Sequence, residues 1–271
     1  SQHHAPELRR AGPIRAVVTR LLRRYIAEAC TAGAASPPAP DWARRASARL
    51  VRLFVWLQVG RVHVEGPIDT LAGGPPCVVA ANHGHYADGM VVAVAAGFPA
   101  RQYTFVAHGA LAWAWGLGAL CVSPSRTICV DLRPGRGGSA LRTGARLLSA
   151  NHSLLIFPEG WAHMDGTRAA FRHGAIAMAQ LAARRTGRRV DVVPAAIRYP
   201  RHPGRWITAW SPVVQYLVTL LAFPLFRRGA TVRVGTPVDV RTLPADVAEA
   251  TRLLEQAVDA LDRTAAPTGD G

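Results

Sequence analysis

Apolar residues between Ile14 and Ala29 recur at helical spacing: Ile14, Val17, Val18, Leu21, Leu22, Tyr25, Ile26 and Ala29. Arg15, Arg20, Arg23 and Arg24 take intervening positions, so the pattern predicts a basic amphipathic helix. Ser36-Pro37-Pro38-Ala39-Pro40 interrupts it. Asp41 is then placed to cap a second helix, with Trp42, Ala46, Leu50, Phe54 and Leu57 along one side and Arg44, Arg45, Arg49 and Arg52 on others. Either helix can pack on a core or lie on an anionic membrane surface, and one stripe can serve both.

From Val62 the texture changes to short β-rich runs separated by turns. Val62–Glu65 alternates like a strand, while Pro76–Ala81 is a wholly apolar run of the kind found in buried parallel strands. Leu154–Phe157, Val190–Ile197 and Thr231–Val234 read as further strands. Helical segments at Gly138–Ala150 and Gly174–Arg185 separate them, and a closing helix is expected over Ala245–Asp262. Strand and helix in alternation predict an α/β fold, a mostly parallel sheet flanked by helices, preceded by the N-terminal amphipathic helix pair. The chain divides into the basic helices at 1–60, the α/β domain at 61–243, and a C-terminal helix with a polar tail at 244–271.

Two long stretches lack charge, Gln102–Ser125 and Ile207–Phe226. Length permits a membrane span in each. Ser123-Pro124-Ser125 breaks the first and Pro212, Gln215 and Pro224 the second, which favours a surface hairpin or an apolar wall for a lipid chain. Trp113, Trp115, Trp206 and Trp210 suit an interfacial belt.

Composition narrows the class. In 271 residues, 49% are hydrophobic and 18% charged, the balance of a folded chain. Cys30, Cys77, Cys121 and Cys129 form no C-x-x-C pair, so neither a zinc module nor a disulfide framework is indicated. The net charge is +15, and all 32 basic residues are Arg. Residues 1–60 hold ten Arg against Glu7, Glu28 and Asp41, a surplus of +7. Such a surplus calls for a phosphate-bearing partner, a nucleic acid or an anionic phospholipid surface. Without a nucleic-acid module, and with aromatics lying in apolar runs, specific nucleic-acid binding is not expected. The Arg-rich start is followed by no apolar core and small-residue cleavage site of a secretory signal.

The candidate chemistry lies at two strand ends. After Ala81 comes Asn82-His83-Gly84-His85-Tyr86-Ala87-Asp88, a strand-to-helix turn with a carboxylate five residues beyond a histidine. A His acting as a base needs such a partner to fix its tautomer and to stabilise the imidazolium. By itself the pair is also that of a capping Asp beside a solvated His. Phe157-Pro158-Glu159-Gly160 ends another apolar strand, where Pro and Gly make a sharp turn expected to present Glu159 at the sheet's edge.

In order, Asn82-His83-x4-Asp88, Val130-Asp131-Leu132-Arg133, Phe157-Pro158-Glu159-Gly160 and Val192-Val193-Pro194-Ala195 resemble the glycerolipid acyltransferase family, the acylglycerol-phosphate acyltransferases and their relatives. Gly66 and Phe171-Arg172-His173-Gly174-Ala175 match as well, and the resemblance spans roughly residues 50–243. It implies acyl transfer from a thioester, acyl-coenzyme A or acyl-carrier protein, to a lipid hydroxyl, with no cofactor, metal or covalent enzyme intermediate. By the same resemblance His83 is the general base, Asp88 orients it, and Asn82, Arg133, Phe157, Pro158, Glu159 and Gly160 line the acceptor site. The implied location is peripheral, on the cytoplasmic face of the membrane.

Two blocks depart from the family pattern. Leu132 separates Asp131 from Arg133, and Trp161-Ala162-His163 stands where relatives continue Thr-Arg-Ser. Arg126, Arg136, Arg168 and Arg172 are candidates to replace the missing Arg. The competing readings are a thioesterase, with water as acceptor, and a non-catalytic lipid-binding membrane partner of the same fold.

Overall fold

The computed structural model describes residues 41–69, 73–97, 103–108, 127–130, 137–200, 218 and 227–263. The helix expected at Ile14–Ala29, nearly all of Ile207–Phe226, the four interfacial Trp residues and Arg133 lie outside them.

Helix α1 (Asp41–Gln58) leads into β1 (Val62–Glu65) and β2 (Cys77–Ala81). Then follow α2 (Asp88–Ala95), β3 (Tyr103–His108), β4 (Thr127–Val130), α3 (Gly138–Ser149), β5 (Ser153–Ile156), α4 (Gly174–Thr186) and β6 (Asp191–Arg198). The chain continues through β7 (Ala230–Val234), β8 (Val238–Asp239), a 3-10 turn at Val240–Thr242 and α5 (Val247–Arg263). One sheet holds every strand in the order β1-β7-β6-β2-β5-β3-β4, with β8 beside β6. β6, β2, β5, β3 and β4 run parallel, while β7 meets β6 antiparallel and carries β1 parallel to itself.

The apolar runs form central strands because both faces of the sheet are covered. On one face Cys77, Val79 and Ala81 of β2 pack with Val91 and Val92 of α2, Val51 and Val55 of α1, and Val232 of β7. On the other, Val78 and Ala80 meet Ile176 and Ala179 of α4, Leu148 of α3 and Leu254 of α5. Successive β2 side chains thus enter opposite cores, so every position of the strand is buried and the sequence shows no polar alternation.

Helix boundaries fall within two residues of expectation, but β3, β4 and β8 carry no separate signal in the chain pattern. Residues 103–108 of the uncharged stretch Gln102–Ser125 form β3, hydrogen-bonded between β4 and β5, so this part is sheet. Among the described residues no helix is long and apolar enough to cross a membrane.

Helix α1 turns a different side inward from the one its most apolar residues suggest. Ala48, Val51 and Val55 are buried, whereas Trp42 and Trp56 are 70% and 49% exposed, with Leu50, Leu53 and Leu57 also outside. The small β-branched residues fit the close approach to α2, and the large side chains are left on the outer face. Gly66 follows β1 at φ +95°, and a Cβ there would run into the Val234 carbonyl oxygen, which explains glycine where β1 and β7 end together.

Candidate active site

β2 lies between β5 and β6, all three parallel, with Ala80 opposite Ile156 and Pro194. Their carboxyl ends therefore open on the same edge, and the turns after them meet there, as sites do in parallel α/β sheets. Asn82 fastens the first turn: its Nδ2 donates to the Ile197 carbonyl at 2.8 Å and its Oδ1 accepts the Ile197 N–H at 2.6 Å. Both ends of the amide are thus committed to β6, and Asn82 is a clamp between strand ends.

The next residue carries the ring. Nδ1 of His83 lies 2.9 Å from Oδ2 of Asp88, the first residue of α2. The same oxygen accepts the His85 N–H at 2.8 Å, and Oδ1 accepts the Tyr199 hydroxyl. Asp88 is 0% exposed, so these three donors replace the water that a buried carboxylate loses. The helix N-cap is Ala87, and the Asp88 carboxylate is committed instead to His83, the His85 N–H and Tyr199. A hydrogen bond from Nδ1 fixes the tautomer with Nε2 unprotonated, and Nε2 has no partner among the described residues. Phe157 stacks on the imidazole at 4.3 Å between centroids and 16° between planes, holding the ring's orientation.

Burial also acts on two phenols. Tyr199 is held far above the ordinary tyrosine range, first by burial and then by the Asp88 carboxylate facing it. Burial pushes Tyr86, which packs with Ala162 and Met164 under the turn, up to about 12. Tyr199 is therefore a neutral hydroxyl at physiological pH and can only donate toward Asp88.

Glu159 differs from its expectation. It is 3% exposed rather than presented at the sheet's edge. Oε1 accepts the His83 N–H at 3.1 Å and Nε of Arg168 at 2.9 Å, while Oε2 accepts the Ala169 N–H at 3.1 Å and lies 3.6 Å from Nε2 of His163. The turn folds inward because buried N–H groups and a guanidinium need this carboxylate more than the surface does. Gly160, at φ +79°, lets the chain reverse directly after it. Pro158 is buried, and its carbonyl accepts the Arg172 N–H at 2.9 Å. The second strand end reaches back to the first as well, since the His163 N–H donates to the His83 carbonyl at 2.7 Å.

Two contributors were not singled out as site residues. Tyr199 follows β6 with no local motif, and 111 residues separate it from Asp88. Arg168 was one of four candidates to replace the missing Arg, and it alone has a described contact with Glu159. Its Nη1 also lies 3.2 Å from Asp259 and 3.4 Å from Asp262, both on α5. Arg172 is exposed, and Arg126, Arg133 and Arg136 lie outside the described residues. Among the described residues no group of three or more His, Cys, Asp and Glu side chains could hold a metal ion. Cys77 opens β2 as a buried thiol, with its N–H and Sγ directed at the Ser153 hydroxyl, unlike an exposed nucleophile.

A mostly parallel sheet thus delivers a buried-carboxylate–histidine pair and an F-P-E-G turn to one edge. The family model described as Acyltransferase matches residues 61–198, just over half of the chain, and the chain belongs to that family. Its fold is similar to the crystal structure of the 1-acyl-sn-glycerophosphate (LPA) acyltransferase PlsC from Thermotoga maritima. That match has a TM-score of 0.55 and 21% identity and covers 92% of this chain and 95% of that one. None of the curated proteins compared matches the sequence.

Proposed function

We propose that the protein transfers a fatty acyl group from acyl-coenzyme A or acyl-carrier protein to a hydroxyl of a lysophospholipid or related lipid acceptor. The observation that carries the reading is the His83–Asp88 pair, with Nδ1 tied to a buried carboxylate and Nε2 left to accept a proton. Nε2 of His83 takes the proton of the acceptor hydroxyl as its oxygen attacks the thioester carbonyl. Collapse of the tetrahedral intermediate breaks the C–S bond, and the thiolate leaves with the proton from His83 as a thiol. Asp88 stabilises the imidazolium between the two transfers.

Asn82 and Glu159 support this base from behind, while Phe157, Pro158 and Gly160 shape the wall beside it. Arg133 is retained from the family resemblance as a phosphate contact. The exposed tryptophans and leucines of α1, with Arg45, Arg49 and Arg52 exposed beside them, support peripheral attachment to an anionic membrane. The cytoplasmic face is the side on which thioester donors of this class occur.

The test is acyl transfer from acyl-coenzyme A and from acyl-carrier protein to a panel of lysophospholipids and glycolipids, comparing wild type with His83→Ala. The expected result is ester product from at least one acceptor, reduced roughly 10²–10⁴-fold or more in the variant. Thioester hydrolysis at the same rate without any acceptor would instead make the protein a thioesterase.

A further inference from the structure

We propose that Tyr199 is a positioning residue of the acyl-transfer site, holding the Asp88 carboxylate by its hydroxyl and limiting how strongly that carboxylate supports a proton on His83. The inference rests on the reading of His83 as the base. It comes from one contact that no motif contains.

A carboxylate buried without water offers two oxygens, and its rotation decides which of them His83 meets. Here Oδ2 serves both His83 Nδ1 and the His85 N–H, and the Tyr199 hydroxyl donates to Oδ1. With each oxygen held from a different direction, the carboxylate plane is set from both ends. Tyr199 reaches this place because Asn82 locks Ile197, two residues earlier, to the end of β2. The β6 end thus supplies a clamp and a donor to the same turn. Tyr199 is itself buried, and its ring tilts at 40° to His85 at 5.4 Å between centroids, which restricts its motion.

The contact also has an electrostatic consequence. A phenol that donates to a carboxylate withdraws part of its charge, so less remains to stabilise the imidazolium across Oδ2. Among the described residues, His85 gives its N–H to Oδ2 in the same turn, and Glu159, with Arg168 and His163 at its carboxylate, accepts the His83 N–H from the segment after β5.

The experiment is Tyr199→Phe in the full chain, read in two ways. Proton–carbon NMR follows the His83 ring against pH, its signal assigned by its loss in His83→Gln, and kcat/KM for acyl transfer is measured across the same range. The variant is expected to titrate His83 at a pH higher by roughly half a unit to one unit, with the acid limb of kcat/KM moving in the same direction. At the optimum, kcat/KM is expected to fall about tenfold. An unmoved His83 titration overturns the inference, whether or not the rate falls. Should the variant not fold, a monofluorinated tyrosine at position 199 replaces it. That more acidic phenol donates more strongly and must move the titration downward, and no movement overturns the inference as well. Failure of the acyl-transfer reading would appear separately, as no His83-dependent ester product from the wild type, while the NMR titration still reports on Tyr199.

Discussion

The Arg168 guanidinium lies 2.9 Å from the Glu159 carboxylate, and its other arm reaches Asp259 and Asp262 on α5. Glu159 in turn holds the His83 N–H. The C-terminal helix, outside the segment that the family model matches, is therefore coupled through one side chain to the backbone of His83, the proposed base. The two links differ in strength. The Glu159 side chain is fully buried beside the Arg168 guanidinium, whereas the α5 carboxylates are 34% and 41% exposed and screened by solvent.

Replacing Arg168 by Gln removes the counter-ion of a buried carboxylate that keeps two backbone N–H donors. The expected loss is about 1–3 kcal/mol in urea denaturation, below the usual figure for a fully buried pair because Arg168 is 28% exposed. Asp259→Asn and Asp262→Asn should each cost less than about 1 kcal/mol in the same measurement. Equal losses for all three variants would mean that the α5 contacts, rather than Glu159, hold Arg168.

Asp88→Asn keeps the size of the side chain and removes the charge that orients the imidazole and stabilises its protonated form. Acyl transfer is expected to fall roughly 10²–10⁴-fold, close to the effect of His83→Ala. Circular dichroism would confirm that the fold survives. Activity within threefold of wild type would remove Asp88 from the mechanism.

Burial holds the Tyr86 phenol up at about 12, from the ordinary value of 10.0. Its folded value lies above the unfolded one, so its contribution is fully present below pH 10 and is lost as the pH rises toward 12. Two units correspond to about 3 kcal/mol, and denaturation at stepped pH should show that decline beginning near pH 10. Tyr86→Phe should flatten this part of the profile, and tyrosinate absorbance should show one fewer late-titrating phenol.

The outer face of α1 offers a test of membrane attachment. Trp56 is half exposed, with the Arg227 guanidinium 3.9 Å over its ring, and Leu50 and Leu53 lie on the same helix surface. Replacing Leu50, Leu53 and Trp56 by Ser should weaken sedimentation with anionic phospholipid vesicles at least tenfold, because burial of each large apolar side chain contributes about 1.5–3 kcal/mol. The core face of the helix, Val51 and Val55, is untouched, so thermal stability should change little. Unchanged vesicle binding would place the attachment elsewhere in the chain.

Much of this protein is readable along the chain because local rules and the fold agree. The apolar runs at Pro76–Ala81 and Val190–Ile197 read as buried strands, and the alternation of strand and helix points to a mostly parallel sheet. The pairing of His83 with Asp88 was legible as one of two alternatives, since a five-residue spacing across a turn permits the contact, and the buried Asp88 carboxylate 2.9 Å from Nδ1 decides between them. β3 was not, because its six residues merge into a longer uncharged stretch whose length masks a strand signal. The apolar stripe of α1 left core packing and membrane contact both open, and only the packed sheet shows that Ala48, Val51 and Val55 go inward while the larger apolar residues stay outside.

The fold class and the F-P-E-G and H-x4-D blocks are legible along the chain, because they depend on periodicity and on neighbours a few residues apart, and the proposed role of His83 and Asp88 comes from the family resemblance. Tertiary structure alone decided that Glu159 turns inward to Arg168 and the His83 backbone, that Asn82 clamps β6, and that Tyr199 closes the third side of Asp88. Apart from the Glu159–Arg168 contact, these join residues far apart in the chain through a buried polar group, which must find its partner wherever the packed sheet brings one within reach.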